Sequence, residues 1–175
     1  MPFVLRKISR SKWYKQGHPW LKSGELQADA LTDLRTKDNS LSVWQIFDDK
    51  SNLDRVVTAL ATTVNRIANL DFALFNIEIL GSLGIAANPT PGKSPDPVVN
   101  GWHLDLAELS ANKVLVLAHA VSEHGVTNRV LEKRVLELIT KSVIAGNIER
   151  KGLPFVPEDL ARIEQLRTTM KSSLL

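Results

Sequence analysis

The sequence has no cysteine. Disulfides, thiolate metal sites and a cysteine nucleophile are excluded, and a reducing compartment is the expected setting. No apolar run approaches the ~20 residues that a membrane-spanning helix needs. Phe3, Val4 and Leu5 are followed at once by charge, so no secretory signal is expected, and the expected location is cytoplasmic with no membrane partner. The glycine-rich phosphate loops G-x-x-x-x-G-K-[ST] and G-x-G-x-x-G are absent, as is the G-x-S-x-G nucleophile turn. Gly92-Lys93-Ser94 has the ending of the first pattern, but Ala87 stands where its first glycine belongs and prolines fill the stretch.

The last shortage is local. The first 24 residues hold no acidic side chain and six basic ones: Arg6, Lys7, Arg10, Lys12, Lys15 and Lys22. Taking these six from the 22 basic residues leaves 16 against 19 acidic, so the rest of the chain carries −3 while the whole carries +3. The positive balance is concentrated, and it is interleaved with Trp13, Tyr14 and Trp20. A cationic, aromatic stretch of this kind holds phosphates or an acidic partner, which a diffuse charge would not. Arg6, Lys7, Arg10, Lys12, Trp13, Tyr14, Lys15 and Trp20 are therefore the candidate binding residues. The competing reading folds the segment back onto Asp29, Asp33, Asp48 and Asp49, with its lysine stems covering apolar surface.

What is present reads as one α+β domain over 1–175, with the basic arm or edge segment at 1–24. At 175 residues a core of useful size is available without a staple. Phe3 to Ile8 reads as a short strand. In Ser40 to Phe47, Leu41, Val43, Gln45 and Phe47 alternate with Ser42, Trp44 and Ile46, and β-branched and aromatic residues are enriched, so it is the clearest strand. A helix over 52–68 follows from Leu53, Val56, Val57, Leu60, Val64 and Ile67 at spacings of three and four. Phe72 to Phe75 reads as a second strand and Ile77 to Leu83 as a short helix.

Residues 86–100 hold Pro89, Pro91, Pro95 and Pro97 and read as an exposed Pro-rich loop or a linker without regular structure. Beyond it the pattern reads as helical. Trp102 to His124 and Val126 to Ala145 form an expected antiparallel hairpin, and a last helix opens at Pro157 with Glu158 and Asp159 in its first turn. The expected fold is thus a small sheet in the N-terminal half packed on helices, with a helical hairpin and a C-terminal helix in the second half.

Three further groups bear on chemistry. His119 and Glu123 share a helix face, but H-x-x-x-E-H is one residue longer than the H-x-x-E-H metal pattern. His124 points about 100° further round. Trp102-His103-Leu104-Asp105 reads as a helix start with a cap. Asp48-Asp49 reads as turn material after the best strand. No metal or cofactor is expected from these sets. The leading functional expectation is a non-catalytic binding or regulatory module with a protein partner, of accessory, antitoxin-like or immunity-like type. One alternative is nucleic-acid binding through the basic segment. The other is a hydrolase or transferase with a dispersed site built from His103 or His119 and strand-end acids.

Overall fold

The computed structural model describes residues 2–13 and 25–172. Strands β1 (Phe3–Ile8), β2 (Leu41–Ile46), β3 (Leu70–Asn76), β4 (Ala87–Pro89), β5 (His103–Leu106) and β6 (Val126–Val130) pair antiparallel throughout. Across the sheet they run β4-β5-β2-β1-β3-β6. The helices are α1 (Arg10–Trp13), α2 (Leu53–Ala61), α3 (Glu78–Ser82), α4 (Pro97–Asn100), α5 (Ala111–His124), α6 (Glu132–Ile144) and α7 (Pro157–Ser172). Short 3₁₀ segments cover Ala28–Leu34 and Arg150–Gly152. The α+β class read from the sequence is the class observed.

Strand alternation sends neighbouring side chains to opposite faces. Leu5, Trp44, Ile46, Phe72 and Leu74 join α2, α6 and α7 in one apolar cluster through Val56, Leu60, Val135, Ile139 and Ile163. Val4, Val43, Phe75, Leu104 and Leu106 join the 28–34 segment, α3 and α5 in another, through Leu34, Leu80, Leu117 and Val121. The central strands are thus covered on both sides, which explains why β3 reads as a continuous apolar run. Ile139 and Ile163 are fully buried, and burial of such a side chain contributes roughly 2 kcal/mol.

Several boundaries differ from the expected ones. Helix α2 stops at Ala61, short of the expected end at residue 68. The Thr62 and Thr63 hydroxyls donate to the Ala59 and Leu60 carbonyls at 2.7 Å each, competing with further helical bonding. Residues 103–106 form a strand rather than the start of a helix, with Leu104 and Leu106 on the α5 face. Glu108 then adopts a left-handed φ of 55°, and α5 begins after Ser110, whose Oγ accepts from the Lys113 N–H. Val126–Val130 is an edge strand rather than a helix start, so β6 separates α5 from α6. Helix α6 packs instead on α2 and α7. The Pro-rich stretch contains β4 and α4, both short. Among the described residues no helix is long and apolar enough to cross a membrane.

Candidate functional site

At one end of the sheet the α2 face turns polar. The register sets Trp44 opposite His103 and Ser42 opposite Asp105. It also sets Leu5 opposite Trp44, and Lys7, two residues on from Leu5, falls on the same face. Lys7, Ser42, His103 and Asp105 therefore share one face, because residues i and i+2 of a strand point the same way. Leu60 and Thr63, at and just beyond the end of α2, form a wall of the cleft above them, and Lys93 forms another. This cleft has a volume of about 450 Å³. A second depression of about 430 Å³ adjoins it, sharing Ser42, Lys93 and His103, and adds Lys37, Asp38 and Asp105 to the lining.

The polar floor is hydrogen-bonded in a definite order. Asp105 accepts from the Ser42 hydroxyl at 3.0 Å and from the Thr90 hydroxyl at 3.0 Å. Thr90 Oγ1 also lies 2.8 Å from His103 Nδ1. A threonine hydroxyl has one proton, and it goes to the carboxylate, so Nδ1 is assigned as the N–H donor to Thr90. Nε2 then carries the lone pair of the neutral ring. It lies 4.0 Å from Asp105 Oδ1, beyond hydrogen-bonding distance. Among the described residues it has no hydrogen-bond partner, and His103, 8% exposed, lines the cleft. The Trp44 ring meets the imidazole edge-on at 4.8 Å between centroids. His103 is thus held on one side by an aromatic ring and on the other by Thr90.

Cations surround this floor. Arg6 donates from Nη1 to the Ser42 carbonyl at 2.8 Å, and from Nε and Nη2 to the Asp33 carbonyl at 2.9 and 2.8 Å. Carbonyls fix the guanidinium without neutralising it. Burial draws the Arg6 side chain below its ordinary value, offset in part by the Asp33 carboxylate. Lys7 is exposed as a whole residue, yet partial burial draws its ammonium below the usual lysine value, with the Arg6 charge as the second cause. Lys7 also lines a neighbouring depression with Arg66. Among the described residues, Lys7, Lys37, Arg66 and Lys93 enter no ion pair. Of the acids that line the cleft and the adjoining depression, Asp105 is engaged by hydroxyls, Asp33 accepts from the Ser9 N–H, Trp13 Nε1 and Lys12 Nζ, and Asp38 adds a carboxylate beside Lys37.

The Pro-rich loop is fastened to this site. The Gly92 N–H donates to the Asn100 carbonyl at 2.9 Å, and the Ser94 N–H to Asn100 Oδ1 at 2.7 Å. Asp96 caps α4 by accepting from the Val98 and Val99 N–H groups. Gly92 lies flat on Trp44: a Cβ there would stand 2.7 Å from Cη2.

The residues singled out in the sequence divide. Arg6 and Lys7 line the cleft. The Arg10 N–H donates to Asp71 Oδ2 at 3.0 Å, Lys12 pairs with Asp33 at 3.1 Å, and Trp13 is buried. Tyr14, Lys15 and Trp20 lie outside the described residues. His119 is not part of the cleft, and His124 lies 3.8 Å from Glu123 with both exposed. Among the described residues no three His, Asp or Glu side chains are grouped to hold a metal ion. Asp49 accepts the Ser51 N–H at 2.9 Å, a bond that lowers its carboxyl pKa, as suits a turn.

Lys93 was weighed only within Gly92-Lys93-Ser94, which fails as a phosphate loop, and Thr90 and Lys37 were not singled out in the sequence. Its one usable signal was His103-x-Asp105, which on a helix diverges by 200° and on a strand converges. Comparison of the chain with protein-family models, curated proteins and solved structures gives no match.

Proposed function

We propose that this chain binds single-stranded nucleic acid in the cleft at the end of its sheet. The observation that carries the reading is convergence. The start of the chain supplies Arg6 and Lys7, the Pro-rich loop supplies Lys93, and β5 supplies His103, all to one concavity. Depressions that share Lys7 on one side and Lys93 on the other extend the positive track to Arg66 and Lys37. Unpaired cations spaced along a groove follow a phosphate backbone, and a cleft of ligand size takes a strand rather than a duplex.

The test is fluorescence anisotropy with a labelled 15-nucleotide RNA and the DNA of the same sequence. Affinity should fall steeply from 50 to 200 mM salt. The double variant Lys7→Ser, Lys93→Ser should lower the slope of log K against log salt by about 1.4, two single-strand phosphate contacts. No binding of either oligonucleotide at 50 mM salt overturns the reading, as does a slope that the double variant leaves in place.

A protein partner is the second reading. Leu115 and Val116, adjacent on α5, are 45% and 46% exposed. Helix α5 covers the other face of the sheet, so Leu115→Glu separates the two readings: it would abolish capture of a partner and leave oligonucleotide affinity alone.

A further inference from the structure

We propose that the same cleft cleaves single-stranded RNA, using His103 as the base and Lys7 as the acid of an internal transesterification. This rests on the nucleic-acid reading above and goes beyond it by assigning a reaction and a sugar.

Binding alone would not need the arrangement around His103. A residue that merely contacts phosphate has no use for a fixed tautomer. Here the relay from Nδ1–H to Thr90 to Asp105 occupies Nδ1 and fixes the tautomer, leaving Nε2 as the nitrogen with the lone pair on a ring that lines the cleft with Arg6, Lys7 and Lys93. A neutral imidazole with an oriented, unengaged nitrogen is a proton acceptor. Arg6 has five N–H groups, of which its two carbonyl partners take three. With Lys93 it supplies fixed positive charge where a pentacoordinate phosphorus would gain negative charge. Lys7 and His103 line the same cleft, on strands that flank β2. Its pKa is lowered by burial and by Arg6. Both effects make its ammonium a better proton donor than an ordinary lysine.

In the reaction His103 Nε2 takes the proton of a ribose 2′-hydroxyl. The 2′-oxygen bonds to the adjacent phosphorus and the bond from phosphorus to the 5′-oxygen breaks. That oxygen takes a proton from Lys7. The products are a 2′,3′-cyclic phosphate end and a 5′-hydroxyl end. The proton now on His103 returns through solvent to Lys7, and no oxidant, reductant or water is consumed. DNA lacks the nucleophile and is bound but not cut. Thr90 is a positioning residue in this scheme.

The experiment follows a labelled 15-nucleotide RNA in EDTA-containing buffer, with an all-DNA strand and an RNA carrying one 2′-deoxynucleotide as companions. Expected are RNA fragments with 2′,3′-cyclic phosphate ends by mass spectrometry, an intact DNA strand, and loss of the cut at the deoxy position. His103→Gln should slow cleavage at saturating enzyme in single turnover by about 100-fold or more. Thr90→Val should lower kcat with KM little changed, and Thr90→Ser should restore it, which a purely structural threonine would not require. The deoxy substitution sits in the substrate and does not depend on any variant folding. Salt-sensitive binding without cleavage overturns this inference and leaves the binding reading standing. Cleavage that survives in His103→Gln, or that leaves ends other than cyclic phosphate, also overturns it. Absence of binding overturns both.

Discussion

Arg55 and Asp96 form a two-pronged ion pair, Nε to Oδ2 at 2.6 Å and Nη2 to Oδ1 at 3.0 Å. It joins α2 to the Pro-rich loop 41 residues away in sequence. Asp96 is 1% exposed, and the same carboxylate caps α4. Arg55 is about one-third exposed, so solvent weakens the charge interaction on its side. Loss of the carboxylate removes both the pair and the cap. Asp96→Ala should therefore cost about 2 kcal/mol, below the 3–5 kcal/mol typical of fully buried pairs. Because the loop carries Thr90 and Lys93, the same variant should weaken oligonucleotide binding at temperatures where the core is intact. Urea unfolding and anisotropy on one preparation check the two effects. An unchanged unfolding midpoint would remove the clamp from the account.

A second prediction concerns pH. Asp71 and Arg129 face each other across β3 and β6, with Nε to Oδ1 at 2.7 Å and Nη2 to Oδ2 at 2.9 Å. The Arg129 bonds draw the Asp71 carboxyl below the ordinary carboxylate value, and the Arg10 N–H contributes in the same direction. A carboxyl with a lowered pKa in the folded state contributes its full stability above the unfolded value near 3.9 and loses it as pH falls through the lower, folded value. Asp71→Asn should thus lower the urea midpoint at pH 7, and the gap from the parent should close as pH drops below about 4. A gap that stays constant from pH 7 to 3 would show that the carboxylate charge contributes nothing to folding.

How much of this was legible in the sequence follows from where periodicity decides. Ser40 to Phe47 was legible because β-branched and aromatic residues are enriched between turn residues, and Phe3 to Ile8 because its apolar run is short and ends in charge. Leu104 and Leu106 fell inside the helix expected over Trp102 to His124, since a four-residue strand is too short to establish its own period. That one misreading concealed the site. His103 and Asp105 look unrelated on a helix and adjacent on a strand. The contribution of Lys93 was not legible, because it depends on the loop folding back onto Trp44, a contact that Gly92 permits and no local pattern encodes.

The basic segment is the last case, and its residues do not act alike. Asp33 accepts the Ser9 N–H at 2.7 Å, Trp13 Nε1 at 2.9 Å and Lys12 Nζ at 3.1 Å. The early part of the arm is thus folded against an acid of the body, and part of its positive charge is already answered there. Lys12 is about one-third exposed, so its pair with Asp33 is worth less than about 1 kcal/mol. Lys12→Ser should accordingly change stability little and leave oligonucleotide affinity and salt slope as in the parent, whereas Lys7→Ser should reduce both. Asp33→Ala removes the acceptor for a main-chain N–H and an indole N–H at once, and should cost about 2 kcal/mol. It should also open the chain after β1 to limited proteolysis. Salt-dependent binding measured on the two lysine variants decides the matter: equal losses would mean that the arm acts as a diffuse charge rather than through the residues that reach the cleft.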